Sequence, residues 1–265
     1  MVRNISMISV LNIVQAEKGS LLMTSVPGSV QPLTTCGSIP RHINMRLIMG
    51  VIIALICLIV FIAIAEDVHE NDVLVQVDQA IANELHHQGA NQPNAIAFYK
   101  VISAVGLPGV WVMGVAVALL FAMRRQWHDF GIWTITLVGG ILLNNIIKLI
   151  FARSRPVFSD PFVLEQNYSF PSGHAMMAVI GFGFLAYVLV ASVKNPIVKI
   201  FIVFALTLLI VLIGISRMAL GVHYFSDVVG GYAAGGAWLA MCITSLEQMG
   251  RRTRFKGSTA DLAAS

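Results

Sequence analysis

Three short polar segments in an otherwise apolar chain carry the side chains that are able to do chemistry. They run over 148–156, 171–174 and 216–227. Their reactive or anion-binding side chains are, in chain order, Lys148, Arg155, Ser172, His174, Arg217, His223 and Asp227. Lysine and arginine bind phosphoryl oxygens, and a suitably oriented histidine is able to act as a nucleophile. The set therefore predicts a site that binds a phosphate group and transfers it.

The first segment combines two different kinds of cation. Lys148 supplies a mobile point charge, whereas Arg155 supplies a planar fork that matches two phosphate oxygens. Pro156 disfavours helical geometry at the residue before it, so we expect the chain to leave its helix there. Arg153 adds positive potential beside them. Taken alone, such cations are also typical of side chains that extend to the membrane surface from the end of a span.

The second segment, Pro171-Ser172-Gly173-His174, has the composition of a helix start. Proline blocks a helix from continuing behind it, and Ser172 is a typical N-cap residue. Gly173 lets an anion approach the backbone closely. The free amides and the dipole of a helix start favour such an anion. On its own, the segment is equally typical of an ordinary capped helix.

The third segment places Arg217 ahead of a histidine and an aspartate that share one helical face. His223 and Asp227 are four residues apart. A carboxylate bonded to one ring nitrogen fixes the tautomer and leaves the other nitrogen free to attack. The alternative, a capped helix start with a satisfied histidine, suits the pair alone. This alternative explains less once Arg217 and the other two segments are placed on one side of the membrane, as the predicted spans below require.

Composition indicates a membrane protein. Of the 265 residues, 57% are hydrophobic and only 11% are charged, well below the charged fraction of soluble domains. Six apolar runs are long enough to cross a bilayer as helices, and they lack the alternation of barrel strands. The predicted spans are 46–65, 102–123, 131–151, 174–193, 198–215 and 225–246. The predicted fold class is all-α, an integral membrane six-helix bundle.

Basic residues orient the bundle. They precede the first span, lie between the second and third, flank the turn after the fourth and follow the sixth, whereas 66–100 is acidic. We therefore expect a multi-pass plasma-membrane protein with both termini cytoplasmic. The three polar segments then share the extracytoplasmic ends of spans three to six. Because the cations are scattered over span ends and do not form a basic patch with aromatics, nucleic acid is not an expected partner.

Three parts of the chain are predicted. Residues 1–44 form a disordered cytoplasmic tail, 45–248 the membrane domain and 249–265 a basic disordered tail. Within the membrane domain, 73–88 has apolar residues at helical spacing and is either an interfacial helix or a connector packed on the bundle. Gly231 and Gly235 favour close packing of the last span, and Trp127 and Trp133 are typical of membrane-interface anchors.

The ordered motifs Lys-x6-Arg-Pro, Pro-Ser-Gly-His and Ser-Arg-x5-His-x3-Asp resemble those of the type-2 phosphatidic acid phosphatase superfamily, which includes bacterial acid phosphatases and vanadium haloperoxidases. The motifs cover 148–227, every position is filled, and the span layout extends the resemblance over 46–246.

The resemblance implies a role for each motif residue. His223 attacks phosphorus, Asp227 orients it, and His174 first protonates the leaving oxygen and then activates water. The phosphate-binding residues are Lys148, Arg155, Ser172, Gly173 and Arg217. No metal and no cofactor are implied, and the segments hold a single carboxylate, too few for a hard-metal site.

The expected activity is metal-independent hydrolysis of a membrane lipid phosphate through a phosphohistidine. Candidate substrates are undecaprenyl diphosphate, phosphatidylglycerophosphate, phosphatidic acid and lipid A phosphates, with slight preference for undecaprenyl diphosphate or a broad specificity. Two alternatives remain at this point. One is a lipid phosphotransferase, and the other is a non-catalytic anion-binding membrane protein or transporter. The oligomeric state is left open by the sequence.

Overall fold

The computed structural model describes the backbone of 45–70 and 73–263, and side-chain surroundings within these ranges up to 248. All elements assigned in these ranges are helices, in agreement with the predicted fold class. In chain order they are α1 Met45–Glu70, α2 Val73–Ala90, α3 Pro93–Met123, α4 Trp127–Phe151, α5 Gly173–Ser192, α6 Pro196–Ala219 and α7 Phe225–Ala263.

Six of these helices are long and apolar enough to cross a membrane, and they correspond one to one to the predicted spans. The largest difference at the start of a span is at α3, which begins at Pro93 rather than near 102. Proline is well suited to the first turn of a helix, where its missing N–H is not needed. Polar residues follow Pro93 and lower the hydropathy of this stretch, so hydropathy alone did not reveal the start of the helix.

A kink in α3 brings this helix close to the polar segments. Gly106 has a non-helical ψ of −110°, and Pro108 lies two residues later inside the helix. A β-carbon on Gly106 would lie 2.9 Å from Ile213 Cγ2 and 3.2 Å from His174 Cδ2. The kink therefore lets the α3 backbone pack directly against the start of α5 and the end of α6.

Helices α5 and α7 pack with their backbones close together. A β-carbon on Gly231 would lie 2.7 Å from the carbonyl oxygen of Ser172, and one on Gly235 the same distance from that of Met176. These two glycines allow backbone contact between the helices, as predicted from the sequence. The contact fixes the start of α5 beside the start of α7, where two of the polar segments lie.

Helix α2 packs on the bundle beside the loop 152–172. Its Asp78 and Ala82 are buried, which favours the packed connector over the interfacial helix. Near its end, His86 stacks on the ring of Phe158 at 3.9 Å between centroids and bonds to Asp160 at 3.0 Å. The helix therefore contacts the loop that carries the first polar segment.

Three sequence-based expectations concern Trp133 and the two predicted tails. Trp133 is not an interface anchor: it is buried, and its indole donates to the Gly114 carbonyl at 2.8 Å, because α3 and α4 pack there. The helical backbone of α7 runs to Ala263, into the predicted tail 249–265, a stretch without proline. The predicted tail 1–44 lies outside the described residues.

Candidate active site

Four helix ends and two loops bring the predicted site residues to one end of the bundle. Lys148 lies in the last turn of α4, and Arg217 lies in the last turn of α6. His174 is the second residue of α5, and Asp227 is in the first turn of α7. The loop 152–172 carries Arg155, and the loop 220–224 carries His223. Hydrogen bonds between these elements show which side chains meet.

The guanidinium groups of Arg155 and Arg217 converge on one carboxylate, that of Glu165. Arg155 Nη2 lies 2.8 Å from Glu165 Oε2, and Arg217 Nη2 donates to Glu165 Oε1. Arg217 is held in place from the other side, because its Nη1 donates to the Ser103 hydroxyl at 2.6 Å. The two arginines that the sequence predicted to bind phosphate therefore form a joint oxyanion site.

Glu165 lies in an electropositive environment. Burial raises the pKa of its carboxyl group, but Arg217 and Arg155, followed by His223 and His174, outweigh this and hold the pKa below its usual range. The carboxylate therefore remains charged at neutral pH. Its side chain is 26% exposed, more than either arginine.

His223 lies between Arg155 and Asp227, and these two partners define its tautomer. Arg155 Nη1 is 3.1 Å from His223 Nε2, and His223 Nδ1 is 3.4 Å from Asp227 Oδ2. Since a guanidinium only donates, Nε2 must accept and Nδ1 carries the proton. Burial lowers the pKa of His223 to about 4 despite the opposing effect of Asp227, so the ring is neutral at pH 7.

Asp227 is fully buried and fully bonded. Its Oδ2 accepts from the Tyr224 amide at 2.8 Å and from the Ser169 hydroxyl, and its Oδ1 accepts from Arg153 Nη1 at 2.7 Å. Its own carbonyl accepts from the Ser172 amide at 2.9 Å. A buried carboxylate with this many donors is held in one orientation.

Lys148 and two buried donors complete the site. Lys148 Nζ and Arg155 Nη2 both donate to the carbonyl of Tyr168, the latter at 3.3 Å, which places the two cations side by side. Ser172 Oγ and Arg217 Nε are buried and find no hydrogen-bond partner among the described residues. Such orphaned donors are expected where a ligand supplies the acceptor.

Ser172 occupies the N-cap position of α5, as predicted, but its hydroxyl does not cap the helix. Gly173 follows it, and a β-carbon there would lie 3.1 Å from Asn144 Oδ1. His174 is half-buried, and its Cδ2 lies beside Gly106 at the kink of α3. The free serine hydroxyl fits the predicted anion cradle better than the ordinary capped helix.

The sequence missed two acidic residues and underestimated one arginine. Glu165 has no motif around it, and its place between the arginines follows only from how the loop folds. Arg153, expected only to add positive potential, bonds to both Asp78 and Asp227. Asp78 was assigned to an acidic outer segment, whereas it is buried. The weak signal available in the sequence was that Asp78 lies one helical turn before Ala82 and therefore on the same helix face.

Comparisons with known proteins identify the family of the chain. Residues 129–251 match the PAP2 superfamily. Phosphatidylglycerophosphatase B of Bacillus subtilis (strain 168) is 33% identical over 181 residues, which cover 66% of this chain and 85% of that protein. An undecaprenyl-diphosphatase of Sulfolobus acidocaldarius is 31% identical over 155 residues, 56% of this chain and 69% of that protein.

A solved structure supports the same assignment. The crystal structure of a transmembrane PAP2 type phosphatidylglycerolphosphate phosphatase from Bacillus subtilis has a TM-score of 0.63 and 29% identity, and covers 74% of this chain and 96% of that chain. The chain therefore belongs to the PAP2 superfamily and is a multi-pass membrane phosphatase like these relatives.

Proposed function

We propose that this protein hydrolyses a lipid phosphate or diphosphate at the membrane surface through a phosphohistidine on His223. The observation that carries the proposal is the convergence of Arg155 and Arg217 on one carboxylate, with His223 Nε2 3.1 Å from Arg155. A carboxylate and a phosphoryl group present similar pairs of oxygens to an arginine fork. A phosphate that replaces Glu165 would therefore lie within reach of the histidine nitrogen.

The chemistry proceeds in two steps. In the first step, His223 Nε2 forms a bond to phosphorus while the bond from phosphorus to the lipid oxygen breaks, and His174 gives that oxygen its proton. In the second step, His174 removes a proton from water, the oxygen of which attacks phosphorus, and the bond from Nε2 to phosphorus breaks. The products are the dephosphorylated lipid and inorganic phosphate.

The surrounding residues stabilise the charge that moves. Asp227 holds the Nδ1 proton of His223 and stabilises the imidazolium-like ring that forms as Nε2 bonds to phosphorus. Arg155, Arg217 and Lys148 neutralise the equatorial oxygens, and the orphaned Ser172 hydroxyl supplies a further donor, assisted by the amide of Gly173. These cations do the work that Mg²⁺ does in many phosphoryl-transfer enzymes.

The position of the site favours a lipid substrate. A cavity of about 430 Å³ adjoins Arg155 and Glu165. It is also lined by apolar Val157 and Leu164, which are 91% and 82% exposed. A headgroup phosphate that reaches the arginines would leave its tail beside these side chains. Phosphatidylglycerophosphate and undecaprenyl diphosphate, for which the relatives are named, are the first candidates, followed by phosphatidic acid.

We assign this end of the bundle to the extracytoplasmic side from the distribution of basic residues. Arg46 at the start of α1 pairs with Glu247 near the end of the last span, at 3.6 Å, on the opposite end of the bundle from the site. Arg124 and Arg125 after α3 also lie at this opposite end, which is therefore the basic, cytoplasmic one.

The proposal is tested by phosphate release from a lipid panel with purified full-length protein, with and without excess chelator. We expect release of inorganic phosphate that persists in chelator, an acid-labile phosphoenzyme, and the loss of both in His223→Ala. Unchanged turnover in this variant would remove His223 from the nucleophilic role. A newly phosphorylated lipid without free phosphate would identify a phosphotransferase instead.

A further inference from the structure

A buried cluster of Asp78, Arg153 and Asp227 adjoins the candidate nucleophile. Arg153 Nη2 donates to Asp78 Oδ2 at 2.8 Å, and Arg153 Nη1 donates to Asp227 Oδ1 at 2.7 Å. The guanidinium also lies over the ring of Tyr224, 4.4 Å from its centroid. Asp78 and Asp227 are both fully buried, and they belong to different helices, α2 and α7. The cluster therefore ties a surface-packed helix to the residue that orients His223.

The charges of this cluster depend on one another. Two buried carboxylates repel unless a cation separates them, and an unpaired buried charge is costly. Burial lowers the pKa of Arg153, but Asp227 and Asp78 raise it above its usual value, so the guanidinium stays charged. The cluster is one unit in which the loss of any member leaves another charge without a partner.

Asp78 also fixes the first turn of α7. Its Oδ1 accepts from the Ser226 amide at 2.9 Å, and its Oδ2 accepts from the Ser226 hydroxyl. The same hydroxyl oxygen accepts from Arg153 Nη1 at 2.7 Å. Ser226 directly precedes Asp227, so these bonds set both the backbone and the side chain of the aspartate.

The cluster gives the two carboxylate oxygens of Asp227 different partners. Arg153 binds Oδ1, which leaves Oδ2 to face His223 Nδ1. If Arg153 moved, Oδ1 would lose its donor, only the bonds from Tyr224 and Ser169 to Oδ2 would hold the carboxylate, and its contact with His223 Nδ1 would be less well fixed. A small displacement of a reacting group is enough to slow a reaction by about 100-fold.

We propose that Asp78 and Arg153 are positioning residues for the Asp227–His223 pair, an inference that rests on the function proposed above. Neither residue bonds to Arg155, Arg217 or Lys148 in the structure's hydrogen bonds and ion pairs, and both act through Asp227. Their loss should therefore lower the rate of the chemical step and leave phosphate binding nearly unchanged.

The test uses purified full-length protein in detergent micelles with dioctanoyl phosphatidic acid. The variants are Asp78→Asn, the milder Ser226→Ala, and Glu84→Gln as a matched control. Glu84 is an exposed carboxylate on the same helix, and among the described residues it bonds only to Gln88, at 2.6 Å. The kcat, the KM, the inhibition constant of inorganic phosphate and the melting temperature are measured for each.

For Asp78→Asn we expect kcat to fall by about 10- to 100-fold, with KM and the phosphate inhibition constant within about two-fold. Ser226→Ala should lower kcat by a smaller factor, and Glu84→Gln should not change it. If Asp78→Asn does not fold, Ser226→Ala and Glu84→Gln still test the inference. Ser226→Ala removes only a hydroxyl and preserves the Asp78–Arg153 ion pair, so we expect it to fold.

Two results would overturn the inference. One is wild-type kcat in folded Asp78→Asn or Ser226→Ala, and the other is a rise in KM without a fall in kcat. His223→Ala, run in parallel, separates this failure from that of the proposed function. An inactive His223→Ala with normal Asp78 and Ser226 variants refutes only the positioning role, whereas an active His223→Ala refutes the nucleophile itself.

Discussion

Replacement of Glu165 by glutamine should strengthen phosphate binding. The carboxylate of Glu165 occupies the two arginine forks, so any phosphoryl group must displace it. Glutamine has almost the same shape but no charge, and it competes less well for Arg155 and Arg217. We therefore expect Glu165→Gln to bind inorganic phosphate more tightly than the wild type does.

The size of the effect follows from the two hydrogen bonds. A bond to a charged group contributes about 1.5–3 kcal/mol and a neutral one about 0.5–1.5 kcal/mol, so two bonds differ by about 2–3 kcal/mol. Because Glu165 is 26% exposed, solvent screening reduces this to about 1–2 kcal/mol. At about 1.4 kcal/mol per factor of ten, the inhibition constant of phosphate should fall by about 5- to 30-fold.

The assay is inhibition of lipid phosphate hydrolysis by inorganic phosphate at pH 7, with Asp160→Asn as the matched control. Asp160 lies on the same loop but pairs with His86 at 3.0 Å, outside the forks. Both variants remove one negative charge. An equal change in both would show that only the long-range field matters, and an unchanged or weaker inhibition by phosphate in Glu165→Gln would refute the displacement argument.

Two further outcomes follow from the site. Arg217→Lys should lower kcat/KM by about 100-fold although the charge is kept, because lysine lacks the fork that reaches both Ser103 and the anion position. Steady-state kinetics on a lipid phosphate checks this, and a near-normal kcat/KM would contradict it. In the proposed mechanism the reactive form of His223 is the neutral ring, and its pKa is about 4, so protonation inactivates it only in acid. After correction for substrate ionisation, kcat/KM should not fall as the pH is lowered from 7 to about 5, and a fall of kcat/KM at the usual histidine pKa of about 6.5 would contradict the assignment.

The sequence was sufficient to predict features that a local pattern carries. His223 and Asp227 are four residues apart, and the structure brings them within 3.4 Å, although His223 lies in the loop before α7 and not on the helix that the spacing suggested. Gly231 and Gly235 lie one helical turn apart, and both contact the α5 backbone. Apolar run lengths were enough for the six spans, because the bilayer requires about 20 residues for each. In all of these cases the sequence pattern is local, or a membrane restricts the alternatives.

The residues that sequence reasoning missed depend on long-range contacts. Asp78 is separated from Arg153 by 75 residues and from Ser226 by 148, so no spacing rule relates them. Glu165 lies in a loop whose path is not set by any helical period. Trp133 was placed at the membrane surface because tryptophan is common there, but its indole finds an acceptor on α3 and packs inside. Each miss is a tertiary contact that overrides a local preference.

The exposure of each carboxylate separates the fixed ion pairs from the exchangeable one. Arg153 is held between Asp78 and Asp227, both with fully buried side chains, so its carboxylate partners are shielded from solvent. Arg155 and Arg217 share Glu165, which is 26% exposed and lines the cavity that opens beside the loop. A phosphate entering through that cavity meets the exchangeable pair first. In the proposed mechanism His223 Nε2 would have to leave Arg155 Nη1 before it attacks, because the lone pair that accepts from the guanidinium is the one that forms the bond to phosphorus. Arg153 would keep Asp227 in place behind the ring during this change.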